Sequence, residues 1–186
     1  MKEKIGFIGL GTMGKPMGYN LMKAGYELMV YDINPKQVKE FQEKGAAVGR
    51  SIGEVAGKSD VVITMLPNSG DVETVVLKEG GTVEGLRSHS IVIDMSTIDP
   101  SVSRKIAKVL REKEIHMLDA PVSGGQMGAE AGTLAIMVGG EEEIFTRCLP
   151  LFKAMGKNIF YCGPSGNGEI VKIVNNLMSG VFRLVS

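Results

Sequence analysis

Three groups of residues in this sequence have the types and spacing for chemistry. The first is Gly9-Leu10-Gly11-Thr12-Met13-Gly14, which follows the apolar run Ile5–Leu10. A G-x-G-x-x-G turn between a strand and a helix suits a pyrophosphate. Gly9 permits the tight turn, Gly11 lets backbone approach phosphate without a Cβ in the way, and Gly14 lets the helix pack closely on the strand. The helix N-terminus offers unpaired N–H groups and partial positive charge. Asp32 lies 18 residues beyond Gly14, at the end of the strand-like stretch 27–31. That is near the spacing expected of the acid that accepts ribose hydroxyls. The second group is Ser123-Gly124-Gly125, able to present successive N–H groups to a carboxylate; a flexible turn is the competing reading. The third is Lys172, Asn175 and Asn176, at i, i+3 and i+4 on one helix face. Val171, Ile173 and Val174 surround the lysine, and desolvation would lower its proton affinity into a useful range. A surface lysine with a snorkelling head is the alternative.

The elements that must position these groups alternate between apolar strand-like runs and helical patterns, the signature of an α/β fold with a mostly parallel, doubly wound sheet of Rossmann type. Strands are expected at 5–10, 27–31, 46–48, 61–65, 91–94, 117–120, 134–138 and 158–161. Asn34-Pro35 reads as a cap and first helical residue, and Ser51 as the cap of a short helix. Pro100 opens another helix, and Pro150 should interrupt or kink the one over 141–154. Ligands of open α/β sheets bind beyond the carboxyl ends of the strands. The residues there are small, polar or glycine-rich: Met65-Leu66-Pro67-Asn68, Met95-Ser96-Thr97 and 121–125 among them. Six such strand ends are expected to line one crevice.

Composition narrows the classes. The chain has 186 residues, 44% hydrophobic and 23% charged, with 21 basic and 21 acidic residues. Balanced charge gives nucleic acid or an anionic membrane surface no electrostatic handle. No apolar run is long enough to span a bilayer, and no signal peptide pattern opens the chain. Cys148 and Cys162 have no metal-binding spacing and read as small core residues of a cytoplasmic protein. His89 and His116 read as neither catalytic nor metal-binding, so no metal is expected. The 12 methionines read as core filling. The final helical pattern runs to Ser186 without a stop signal, so the chain is expected to end inside a long helix.

The sequence resembles the β-hydroxyacid dehydrogenases. The matching segments are FIGLGTMGKPM (7–17), TMLPNS (64–69), IDMST (93–97), DAPVSGG (119–125), GTLAIMVGG (132–140) and the spacing of Gly168, Lys172 and Asn176. The resemblance implies an NAD-binding Rossmann-type domain over 1–164 and the start of an interdomain helix over 165–186, with a helical second domain beyond. It implies a homo-oligomer at full length and, without the second domain, weak turnover. By resemblance, Gly9, Gly11, Thr12, Met13, Gly14, Asp32, Asn34, Met65, Leu66, Pro67 and Thr97 would bind the cofactor. Ser123, Gly124, Gly125 and Asn175 would hold a small hydroxy or oxo acid. Lys172 would be the acid/base and Asn176 would orient the substrate. Reduction of 2-hydroxy-3-oxopropionate (tartronate semialdehyde) to glycerate is the expected reaction, with 3-hydroxyisobutyrate or 4-hydroxybutyrate as alternatives. A dinucleotide-binding module without catalysis is the reading from another class. An acid at position 32 repels a 2′-phosphate and no arginine follows it closely, which favours NAD(H); Lys36 leaves NADP(H) open.

Overall fold

The computed structural model describes residues 2–185, and side chains as far as 182; Met1 and Ser186 lie outside the described residues. The elements follow in the order β1 (Ile5–Ile8), α1 (Gly14–Lys23), β2 (Leu28–Tyr31), α2 (Pro35–Glu43), β3 (Ala47–Val48), α3 (Ile52–Gly57), β4 (Val61–Thr64), α4 (Ser69–Leu77), α5 (Thr82–Gly85), β5 (Ile91–Asp94), α6 (Pro100–Arg111) and β6 (His116–Asp119). Then come β7 (Val122–Ser123), α7 (Gly125–Ala131), β8 (Leu134–Val138), α8 (Glu142–Met155), β9 (Gly156–Tyr161) and α9 (Asn167–Val185).

Six parallel strands form the main sheet in the order β3-β2-β1-β4-β5-β6. Chain progression reverses direction between β1 and β4, so the loops after these two strands diverge and leave a crevice. Burial on both faces explains why β1, β4 and β5 read as near-continuous apolar runs, with Thr64 and Asp94 the polar residues at the ends of β4 and β5. Alternate residues serve opposite faces. Phe7, Ile63, Ile93 and Leu118 pack with Met17, Leu21, Phe41 and Phe152, from α1, α2 and α8. Val92 and Met117 pack on the other face with Val72, Val76, Ile106 and Leu110, from α4 and α6. The fold class read from the sequence is therefore the one observed.

The helix caps match the residue chemistry. The Asn34 side chain accepts from Lys36 N, Ser51 from Glu54 N, and Asn68 from Asp71 N. Pro150 lies inside α8, which runs through it as one helix from Glu142 to Met155. Two short helices, α5 and α7, were not expected.

The larger correction concerns the later strands. β7, β8 and β9 form a second, three-stranded sheet, with β7 antiparallel to β8 and β8 parallel to β9. An isolated bridge between Asp119 and Gly139 joins the two sheets. β8 and β9 are visible as local strand-like runs, whereas β7, two residues of the 121–125 turn, is not; which sheet they join is decided by pairing across distant sequence.

Candidate active site

The glycine loop lies at the carboxyl end of β1. Gly9 has φ +95°, and a Cβ there would stand 2.2 Å from the Met65 carbonyl oxygen. A Cβ on Gly14 would stand 1.9 Å from the Gly9 carbonyl oxygen. Both glycines therefore serve close packing of the turn on its neighbours. Gly11 differs, since a Cβ there would meet nothing within 4 Å. Its space opens outward, where a ligand would lie.

The turn borders a cleft of about 680 Å³, lined by Gly9, Gly11, Thr12, Met13, Gly14, Asp32, Asn34, Met65, Leu66 and Pro67. That volume is in the range of small-molecule sites. Ten of the eleven residues expected at the cofactor thus share one cleft. Thr97 is the exception: it is exposed on the β5–α6 loop and does not line this space. Tyr31 and Ile33 also line the cleft, and Ile33 is 92% exposed, an apolar wall that the sequence reading passed over. The crevice also gathers fewer strand ends than expected: those of β1, β2 and β4.

Asp32 is anchored before any ligand arrives. Its Oδ2 accepts from Leu10 N at 2.6 Å and its Oδ1 from Asn34 N at 2.7 Å. These bonds tie the glycine loop to the end of β2. Each carboxylate oxygen keeps further acceptor capacity for ribose hydroxyls. The open space at Gly11, the acid at the far wall and the unpaired N–H groups at the start of α1 fit a dinucleotide with free ribose hydroxyls. Asp32→Ala should narrow a preference for NADH over NADPH by about tenfold, or ~1.4 kcal/mol. The ratio of the two dissociation constants checks this; an unchanged ratio would contradict the ribose assignment.

A buried polar network continues from this cleft toward α9. Ser96 Oγ donates to Asp94 Oδ1 at 2.6 Å and accepts from Leu66 N at 2.9 Å. Thr64 Oγ1 also donates to Asp94, at 2.8 Å. The loop that walls the cleft is thereby fastened to β5. At the next strand end, Asp119 accepts from Gly166 N at 2.7 Å and Glu169 N at 3.2 Å, an acid at the N-terminus of α9. A Cβ on Gly168 would stand 2.4 Å from the Met137 carbonyl oxygen, so this glycine allows α9 to start against β6 and β8.

That close approach carries Lys172 inward. The lysine is only 8% exposed. Burial pushes its ammonium below the ordinary lysine range, while Glu169 one turn earlier works the other way. Among the described residues its Nζ has no hydrogen-bond or ion-pair partner. Asn175 Nδ2 donates to Ser123 Oγ at 3.2 Å, which brings together two residues 52 apart in sequence. Gly124 and Gly125 are exposed beside them, with φ of +131° and +60°. Asn176 is exposed on α9. Among the described residues no hydrogen bond joins it to Ser123 or Lys172.

Glu169 went unnoticed in the sequence. It is fully buried, and burial pushes its carboxyl up to about 9. A lone acid in an apolar stretch, three residues before a lysine, was the available signal. Burial likewise raises Asp94 to about 6. Both carboxyls hold protons more tightly in the folded chain than in the unfolded one, so stability falls as pH rises. Asp94 contributes this loss between 3.8 and about 6, and Glu169 between 4.5 and about 9. The melting temperature should therefore be lower at pH 9 than at pH 6, and Glu169→Gln should flatten that slope. Thermal denaturation across pH checks it; a slope unchanged in the variant would remove Glu169 as its source.

Fold and cleft together define a dinucleotide-binding α/β domain. The chain belongs to the family described as the NAD binding domain of 6-phosphogluconate dehydrogenase, whose model matches residues 4–163. It is 47% identical over 177 residues to 2-(hydroxymethyl)glutarate dehydrogenase of Eubacterium barkeri, covering 95% of this chain and 59% of that protein. It is 46% identical over 183 residues to mitochondrial 3-hydroxyisobutyrate dehydrogenase of Mus musculus, covering 98% of this chain and 55% of that protein. Among solved structures, Mycobacterium tuberculosis 3-hydroxyisobutyrate dehydrogenase with L-serine superposes with a TM-score of 0.92 at 38% identity, covering all of this chain and 62% of that one. The resemblance to β-hydroxyacid dehydrogenases read from the motifs stands. The chain spans little more than half the length of the curated relatives it matches.

Proposed function

We propose that this chain is the cofactor-binding part of a cytoplasmic, NAD(H)-dependent oxidoreductase that interconverts a small β-hydroxy acid and its semialdehyde. Residues 1–164 form the binding domain and 165–186 begin the interdomain helix of a longer, homo-oligomeric protein. The observation that carries the reading is the buried Lys172 on the same helix as Asn175, whose amide meets Ser123. NAD(H), when bound, supplies or accepts the hydride. The chain's residues do the rest. The glycine loop with Thr12 and Met13 grips the pyrophosphate, and Asp32 with Asn34 receives the ribose. Met65, Leu66 and Pro67 wall the cleft. Ser123, Asn175 and the N–H groups at Gly124 and Gly125 hold the substrate carboxylate, and Asn176 and Thr97 meet the ligands from the rim. In reduction, the Lys172 ammonium gives its proton to the carbonyl oxygen as hydride reaches the carbon. In oxidation, neutral lysine takes that proton back.

The relatives' names narrow the substrate class. 3-Hydroxyisobutyrate, L-serine and 2-(hydroxymethyl)glutarate are all 3-hydroxypropanoates that differ at C2, and glycerate shares that frame. 4-Hydroxybutyrate places its hydroxyl one carbon further from the carboxylate and fits less well. We infer a 2-substituted 3-hydroxypropanoate, with 2-hydroxy-3-oxopropionate as the candidate aldehyde. A screen of NADH oxidation over C2-substituted three-carbon semialdehydes, with succinic semialdehyde as the longer control, tests this. Turnover of the longer aldehyde alone would overturn it.

A further inference from the structure

Glu169 is fully buried, yet one of its oxygens is unused. Oε2 accepts from Ile98 N at 3.2 Å, and Oε1 has no hydrogen-bond partner among the described residues. A carboxylate in such a place would leave a full charge with half its acceptors empty, which costs far more than a neutral carboxyl. The charges around it compound the cost. Asp94 faces it from β5 and Asp119 from β6, both negative when ionised, against Lys172 from α9. Arg104 of α6 donates from Nε to the Ser165 carbonyl at 3.2 Å, and no ion pair joins it to Glu169 among the described residues. Glu169 also spans two parts of the site. It sits one turn before Lys172 on α9, and it receives an N–H from the loop holding Thr97 and Ile98.

We propose that Glu169 is a positioning residue for Lys172: a carboxyl kept in its neutral form that anchors α9 to the β5–α6 loop and leaves the lysine without a carboxylate counter-ion. This rests on Lys172 as the acid/base of the site. An ammonium beside a carboxylate would be held protonated and would serve oxidation poorly. Beside a neutral carboxyl the upward pull of Glu169 on the ammonium is relieved, and burial is left to lower its proton affinity, which eases release of the proton. The short tether to Ile98 keeps the lysine's helix turn seated against the strand ends.

The test reads protonation directly and needs no substrate, so it stands even if Lys172 proves not to be the acid/base. In the ¹³C-labelled chain, the Glu169 carboxyl resonance, assigned through its own backbone amide, is expected in the neutral-acid position at pH 7. It should move to the ionised position with a midpoint near 9. An ionised resonance at pH 7 would overturn the proposal. Two variants read the effect on Lys172 through its Cε resonance. Glu169→Gln keeps shape and neutrality, and should leave the lysine signal at pH 7 where the unmodified chain has it. Glu169→Ala admits water beside the ammonium and should raise the lysine's midpoint toward the ordinary lysine range. A lysine shifted as far by glutamine as by alanine would also overturn the proposal. Should the alanine variant fail to fold, the carboxyl measurement on the unmodified chain still decides it.

Discussion

Lys172→Ala is expected to lower turnover of the preferred semialdehyde by about 10²–10⁴-fold, the usual yield of a positioned general acid. The dissociation constant for NADH should stay close to its original value, because Lys172 does not line the cleft beside the glycine loop. The separation matters because a buried lysine can also be structural. Removing it deletes a desolvated cation that has no hydrogen-bond or ion-pair partner among the described residues, so the fold loses little and can gain. A catalytic loss with unchanged NADH binding and an undiminished melting temperature therefore belongs to proton transfer. Lys172→Arg sharpens the point. It keeps the charge but does not give up its proton at working pH, so it should fall nearly as far as alanine. Turnover within a few-fold of the original in either variant would refute the assignment. The acid limb of the pH profile gives a second check, since in the oxidising direction activity should rise as the lysine loses its proton.

Much of this was legible in the residues, for reasons that differ from site to site. The cleft beside the glycine loop is built from sequence-local features: one turn, one strand end and one acid at a set distance. Gly9 to Gly14 and Asp32 are therefore legible from the residues alone. Strand existence was equally local, because burial on both faces writes itself as runs such as Val61–Thr64. β7 was not legible as a strand, and the pairing of β8 and β9 was not legible either, since the same apolar run serves either sheet. Lys172 and Asn175 could be put on one helix face, but the burial of the lysine came only with Gly168 packed against β6 and β8. Asn175 meeting Ser123 bridges two elements that share no local pattern. The burial of Glu169 was not legible for a related reason. A glutamate in the first turn of a helix is ordinary, and only tertiary packing turns it into a buried acid. Thr97 shows the reverse: its strand-end position suggested the cleft, and the β5–α6 loop leaves it exposed and outside the cleft's lining.

The glycine loop offers the clearest separation of folding from binding, through two substitutions of one chemical kind. Gly11→Ala should leave stability nearly unchanged, because its Cβ meets nothing within 4 Å and no left-handed φ constrains the residue. The same methyl group projects from a turn whose backbone must approach a phosphate closely. NADH affinity should therefore fall at least tenfold, or ~1.4 kcal/mol. Gly14→Ala should do the opposite. Its Cβ would stand 1.9 Å from the Gly9 carbonyl oxygen and 3.1 Å from the Phe7 ring. Backbone cannot yield to a methyl group as a flexible side chain can, so α1 must move off β1. The cost should reach or exceed the ~1–3 kcal/mol typical of overpacking, and NADH binding should weaken only as a consequence of the displaced turn. Chemical denaturation and NADH titration on both variants decide the matter. A Gly11→Ala chain that binds NADH normally would mean that the phosphates do not pass over this turn. A Gly14→Ala chain of unchanged stability would mean that the close approach of α1 to β1 is not required.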